Sequence, residues 1–220
     1  MTAPLPLAAR VDATLLTPWA APDAIEALCA EAARLETAAV CVLPYHVARA
    51  SAALAGSRVR VAAALGFPFG GSPAAAKAAE AEAAAADGAA ELDIVLNLGA
   101  ARAGDWGTVE REIAAVREAA PRRLTKWILE CGALGEGEIR RAVRAVADQG
   151  GDFVKTSTGY GPGGATVDQV RLLRALAGPL GVKASGGIAT RAQALALVAA
   201  GADRIGTSRA RDVLAGEEAR

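Results

Sequence analysis

The feature that most constrains the fold is an alternation repeated eight times along the chain: a short apolar, β-like run followed by a stretch of helical period. The runs are RVDATLL (10–16), AAVCVL (38–43), RVAAALGF (60–67), ELDIVLNL (91–98), LTKWILE (124–130), DFVKTS (152–157), GVKAS (181–185) and DRIGTS (203–208). Helical stretches are expected at 22–36, 45–55, 73–87, 107–120, 136–149, 166–177, 190–200 and briefly after 209. Pro22 or Asp23 opens the first, Thr166 with Gln169 three residues on caps the sixth, and Thr190 caps the seventh. AADGAAELD, AADQGGDFVK and LVAAGADRIG each pass from a helix through a glycine stop into a strand.

Eight βα units without a composition break or a Pro/Ser linker point to an α/β fold, a (β/α)8 TIM barrel formed by residues 1–220 as one domain. Barrels reach 220 residues as a unit, and 53% hydrophobic residues supply ample core. A doubly wound open sheet is the alternative. It usually carries GxGxxG after its first strand, whereas LLTPWAAP stands here.

Charge and cysteine usage narrow the function classes. The 24 basic and 24 acidic residues cancel, leaving no summed field for nucleic acid or a membrane surface, so an anionic ligand must be held by a local site. Cys29, Cys41 and Cys131 are odd in number and lack CxxC spacing, which suits reduced thiols in a cytosol. MTAPLPLAAR lacks a basic segment followed by a long apolar one, and no run of 18 apolar residues occurs, so a cytoplasmic protein is expected.

A barrel of this kind works at the C-terminal ends of its strands. That rule selects Asp12, Cys41, Asp93, Lys126, Glu130, Lys155 and Lys183. Lys155 and Lys183 fall on successive strands, about 4.8 Å apart, at similar depth. A single lysine usually packs its stem on apolar surface with its ammonium in water. Here the flanking FV and GV are core-type and no carboxylate adjoins either lysine in sequence, so desolvation and like charge are both expected to favour neutral amines. A neutral buried amine is a Schiff-base nucleophile. Asp93, in an apolar strand, is either an ion-pair member or the proton carrier that iminium chemistry needs. Lys126 and Glu130 read equally well as an internal charge pair or as functional groups. Cys41 is placed at the mouth of strand two, as a candidate reactive thiol.

Glycine-rich turns after strands seven and eight, ASGGIAT and GTSRA, offer Gly186, Gly187, Gly206 and Ser208 to a phosphate, and STGYGPGG with Gly159 adds a third loop. Thr156, Asp12 and Lys126 complete the expected substrate contacts. His46 receives no role, Trp19, Trp106 and Trp127 read as packing residues, and GDW (104–106) reads as a helix cap with an aromatic staple.

Four segments, VKTSTGYGPGGATVDQVRLLR, GVKASGGIAT, ELDIVLNLGAARAGDW and ALGFPFG, resemble in order the deoxyribose-phosphate aldolases, class I aldolases of deoxynucleoside catabolism. The resemblance runs from about residue 11 to 208. It implies a barrel that reversibly cleaves 2-deoxy-D-ribose 5-phosphate to D-glyceraldehyde 3-phosphate and acetaldehyde, without metal or other cofactor, and a homodimer. It places the Schiff base on Lys155, the lowering of its pKa and a proton relay on Lys183, and acid/base work on Asp93. Two segments depart from the family pattern: DATLLTP has Ala13 and Thr17 where D-H-T-L-L-K-P is usual, and GTSRA ends the last loop with Arg209. Two other readings stay open on the residues alone: a barrel carrying pyridoxal phosphate, and a sugar-phosphate isomerase with a Glu base.

Overall fold

The structure, a computed structural model, describes residues 5–215. The outermost parts of the expected 1–220 domain, including the first residues of MTAPLPLAAR, lie outside the described residues. The strands are β1 (Val11–Leu15), β2 (Ala39–Val42), β3 (Arg60–Leu65), β4 (Glu91–Val95), β5 (Leu124–Ile128), β6 (Phe153–Lys155), β7 (Gly181–Ser185) and β8 (Arg204–Thr207). All pair in parallel in chain order, and β8 closes on β1, so the barrel is complete. The helices are α1 (Pro22–Arg34), α2 (Val47–Ala53), α3 (Ala74–Ala86), α4 (Leu98–Arg102), α5 (Trp106–Ala119), α6 (Glu136–Asp148), α7 (Val167–Ala177), α8 (Arg191–Ala199) and α9 (Ala210–Leu214).

The strand period of two sorts the side chains into two compartments. Val11, Ala13, Val40, Val42, Leu92, Ile94, Trp127, Val154, Val182, Ala184 and Ile205 belong to the apolar shell between sheet and helices. On the helix side of that shell, Ile139, Ala142, Val143 and Val146 repeat at i, i+3, i+4 and i+7 along α6 and are buried. The intervening strand residues point into the lumen, where β2 and β3 contribute Cys41, Ala62 and Ala64 while other strands contribute charges.

The expected caps form: Thr166 and Thr190 accept from the backbone N–H of Gln169 and Gln193, and Asp105 accepts from Thr108. Three local expectations are corrected. The strand read as 91–98 ends at Val95, because the Asn97 side chain accepts from Ala100 N and caps α4. The second helix begins as a 3-10 turn at Pro44–His46, with His46 buried against Tyr45. Trp19 is 84% exposed on the loop after β1, so it is not a packing residue, whereas Trp127 is fully buried and Trp106 packs on the shell under the Arg141 guanidinium.

Candidate active site

The lumen holds a stack of buried charges. At the N-terminal end, Arg204 opens β8 and Glu91 opens β4, and the Arg204 guanidinium donates to Glu91 Oε2 at 3.0 Å and to Asp12 Oδ1. One level up, Lys126 lies 2.6 Å from Glu91 and 2.7 Å from Asp93. Above it, the sheet register sets Lys155 directly across from Lys183, and both donate to Asp93 Oδ2, at 2.7 and 2.6 Å. Lys183 also donates to Asp12 Oδ2 at 2.5 Å. Lys155 is 3% exposed; Asp12, Asp93, Lys126 and Lys183 are fully buried.

Charges this close decide one another's protonation. Burial alone would raise the Asp93 carboxyl, but Lys126, Lys155 and Lys183 hold it well below the usual carboxylate range. Asp12 is likewise held low by Lys183 and Arg204 against burial, and Glu91 by Lys126. The sequence reading expected neutral amines at both lysines, and for Lys183 the structure corrects it. Burial pushes Lys183 toward the neutral amine, yet Asp12 and Asp93 overcome this and hold it above the ordinary lysine range as an ammonium. Lys155 behaves differently: burial lowers it, only Asp93 pairs with it among the described residues, and the Lys183 charge lowers it further. Among the buried groups, Asp12, Glu91 and Asp93 are thus balanced by Lys126, Lys183 and Arg204, while the exposed Arg60 also reaches Glu91 from outside at 3.1 Å. Neutral Lys155 leaves this stack without excess charge, and a protonated Lys155 adds one.

Other expected residues fall in different places. Cys41 is inside the wall of the barrel and not at its mouth: it is fully buried under Leu16, Leu43 and Phe67, with Sγ 3.9 Å from Asp93 Oδ2. Burial and the Asp93 charge push its thiol up to about 11. Lys126 does not pair with Glu130, whose carboxylate turns instead to Thr158. The Thr156 hydroxyl accepts from Ser185 N and donates to Ser185 O, tying β6 to β7. Gly186 and Gly187 take φ of +94° and +74°, a turn that glycine enters without strain, and Gly164 and Gly159 press against it. Gly206 lies within β8, where a Cβ would stand 3.1 Å from Lys183 Cε, so its smallness makes room for that lysine. Ser208 is exposed, and Arg209 pairs with Asp212 at 2.6 Å on α9. Ala13 faces the outer shell, so that departure from the family pattern leaves the lumen unchanged.

Sequence reading missed Glu91, Arg204 and Ser157, whose buried hydroxyl has no partner among the described residues. The signal for Glu91 was present: in ELDIV it shares a face with Asp93. No group of three or more His, Cys, Asp or Glu is disposed to hold a metal ion among the described residues. The carboxylates of the lumen are taken up by cations.

A stack of this kind, with one surplus amine at the C-terminal end of a barrel, can form and hydrolyse imines. Comparison with known proteins agrees with that chemistry. The family model described as "DeoC/LacD family aldolase" matches residues 12–216. The deoxyribose-phosphate aldolase of Mycolicibacterium paratuberculosis is 51% identical over 216 residues, 96% of each chain. That of Brevibacillus brevis is 47% identical over 207 residues, 94% of each chain. The structure of the deoxyribose phosphate aldolase from Aeropyrum pernix, described as tetrameric, superposes with a TM-score of 0.89 at 35% identity, covering 94% of this chain and 89% of that one. The chain therefore belongs to the DeoC/LacD family of aldolases.

Proposed function

We propose that this chain is a class I aldolase that reversibly cleaves 2-deoxy-D-ribose 5-phosphate to D-glyceraldehyde 3-phosphate and acetaldehyde in deoxyribose phosphate catabolism. The observation that carries the reading is the shared oxygen: Asp93 Oδ2 receives both Lys155 and Lys183, and only Lys155 is driven toward the neutral amine.

Lys155 Nζ attacks the aldehyde carbon of the open-chain sugar, giving a carbinolamine that loses water to become an iminium. The iminium withdraws electrons from the bond between the second and third carbons. Loss of the proton from the third-carbon hydroxyl breaks that bond, releasing glyceraldehyde 3-phosphate and leaving an enamine on Lys155. Protonation of the enamine carbon and addition of water return acetaldehyde and the amine. Asp93 and Lys183 move these protons; Asp93, held ionised, passes protons on and does not store them, and Lys183 is the charged donor beside it. Asp12 and Lys126 fix these two groups in place. The reaction requires no metal or cofactor in this reading. Gly159, Gly186 and Gly187 bring backbone toward the phosphate, with Ser208 at the rim.

Two broader features accompany the proposal. Cys29, Cys41 and Cys131 are all free and buried, which suits a cytoplasmic protein, and no described helix is long and apolar enough to cross a membrane. A homodimer is the proposed assembly, decided by light scattering on the eluting peak. The activity is tested by incubating purified protein with 2-deoxyribose 5-phosphate and following both aldehydes with coupled dehydrogenases. Equimolar release supports the reading. Isomerisation to a ketose, or turnover retained in Lys155→Ala, contradicts it.

A further inference from the structure

Glu130 follows β5 in a conformation that few side chains adopt. Its φ is +50°, in the left-handed region, and its carboxyl is buried, the residue being 2% exposed. The backbone on either side is held: Leu129 N donates to Lys155 O at 2.9 Å and Cys131 N to Thr156 O at 2.8 Å. The side chain turns away from the lumen and under the segment that follows β6. There Oε2 accepts from Thr158 N at 3.1 Å and from Thr158 Oγ1 at 2.5 Å. Oε1 has no partner, and no Lys or Arg pairs with the carboxylate, among the described residues. A Cβ on Gly161 would stand 2.5 Å from Glu130 Cδ, so the carboxyl lies against the loop backbone itself.

The loop that Glu130 holds reaches across the mouth. Thr158 Oγ1 accepts from Tyr160 N at 3.0 Å, the Tyr160 hydroxyl donates to Leu16 O at 3.3 Å, and its ring meets Phe67 edge-on at 5.4 Å. Ala165 N donates to Gly186 O at 3.0 Å at the far end. The segment therefore spans from β5 to the turn after β7, over the end of β6 that carries Lys155. Burying a carboxylate without a counter-ion at a left-handed position is costly on both counts. A site that needed only a turn would be served by Gly or Asn.

We propose that Glu130 is a positioning residue of the reaction, fixing residues 158–162 across the end of β6 through Thr158 and so keeping water from Lys155. The proposal rests on the imine reading of Lys155 given above. Its readout is the acid limb of the pH profile of kcat/KM, set by Lys155 and by the groups that face it: Asp93 from β4, Lys183 from β7, Cys41 from β2, and Lys126 on β5 through Asp93. The sign separates two effects. Losing a negative charge favours the neutral amine and moves the limb down, whereas admitting water favours the ammonium and moves it up.

The variants are Glu130→Ala and Thr158→Val, with Glu130→Gln and Thr158→Ser as conservative partners that keep an acceptor or a hydroxyl. In the first two, the acid limb is expected to rise by about one pH unit, kcat/KM at neutral pH to fall about tenfold, and amide exchange over 157–162 to quicken. The conservative pair is expected to stay within about twofold of the parent. A limb that stays put or moves down in both overturns the proposal, even if thermal stability drops. Should Glu130→Ala fail to fold, Thr158→Val carries the test alone. Borohydride reduction with acetaldehyde separates this proposal from its premise. A parent protein with no adduct on Lys155 sinks both, and an adduct with an unmoved limb sinks this one only.

Discussion

Replacing Lys183 by Met removes one positive charge from the lumen while keeping a side chain of similar length. Lys183 and Lys155 donate to the same Asp93 oxygen at 2.6 and 2.7 Å, so the two nitrogens lie within ~5 Å, where like charges in a protein interior repel by about 3 kcal/mol. Removing that repulsion favours the ammonium form of Lys155 by the same amount, roughly two pH units or a hundredfold in the equilibrium. Lys155 is held below the ordinary lysine range by burial and by Lys183, so the loss moves it upward and shrinks the neutral fraction at neutral pH. The assay is kcat/KM for 2-deoxyribose 5-phosphate cleavage between about pH 6 and about pH 10, on Lys183→Met with Lys183→Arg as the charge-keeping control. The Met variant is expected to lose about a hundredfold near neutrality and to recover in part as the pH rises by about two units, while the Arg variant keeps the position of its acid limb. A Met variant slowed equally at every pH refutes the reasoning, because its defect then lies in proton transfer or geometry and not in the protonation of Lys155.

Other consequences follow from the same stack. Asp93→Asn leaves Lys126, Lys155 and Lys183 facing one another without their shared carboxylate, and is expected to cost about 3–5 kcal/mol in urea unfolding and at least a hundredfold in turnover; a variant near parental stability contradicts the pairing. Gly206→Ala sets a methyl 3.1 Å from Lys183 Cε and 3.0 Å from Ser185 Cβ, and is expected to cost about 1–3 kcal/mol and to slow turnover, read by thermal unfolding and kcat. Asp12, Glu91 and Asp93 are all held below their unfolded values, so their contribution to stability is present above about pH 4 and is lost as the pH falls through their depressed folded values; unfolding that does not sharpen below about pH 4 contradicts this sign. Cys41, buried with its thiol near 11, is expected to react with iodoacetamide at about one hundredth the rate of free cysteine or less. A Cys41→Ala variant that an α,β-unsaturated aldehyde inactivates as quickly as the parent removes any role for this thiol in such inactivation.

The barrel was legible because its evidence is local and repeated. Apolar runs of period two, glycine stops and Thr caps recur unit by unit, and the same period aligns Lys155 with Lys183 once the strands are parallel. What escaped the sequence is what closure brings together. Asp12 and Arg204 are 192 residues apart, and Glu91 and Arg204 are 113 apart, so no local window shows that the lysines find carboxylates across the lumen. The Lys126–Glu130 pairing failed for a backbone reason. Four residues along a strand return to the same face, but the left-handed turn at Glu130 swings its side chain out of the lumen. For Cys41 the face was right and the depth wrong, since Leu16, Leu43 and Phe67 cover the end of β2 from neighbouring loops. Trp19 was read as core from its residue type, although it stands on the loop after β1, where burial is decided by what lies across the mouth.

The central claim is that Lys155 is the imine-forming amine of an aldolase, and borohydride reduction in the presence of acetaldehyde tests it most directly. After digestion and peptide mass mapping, the account predicts one ethyl group, on the peptide containing Lys155, with Lys183 unmodified because it is held as an ammonium between Asp12 and Asp93. An adduct on Lys183, or ethylation scattered over surface lysines with Lys155 untouched, contradicts it.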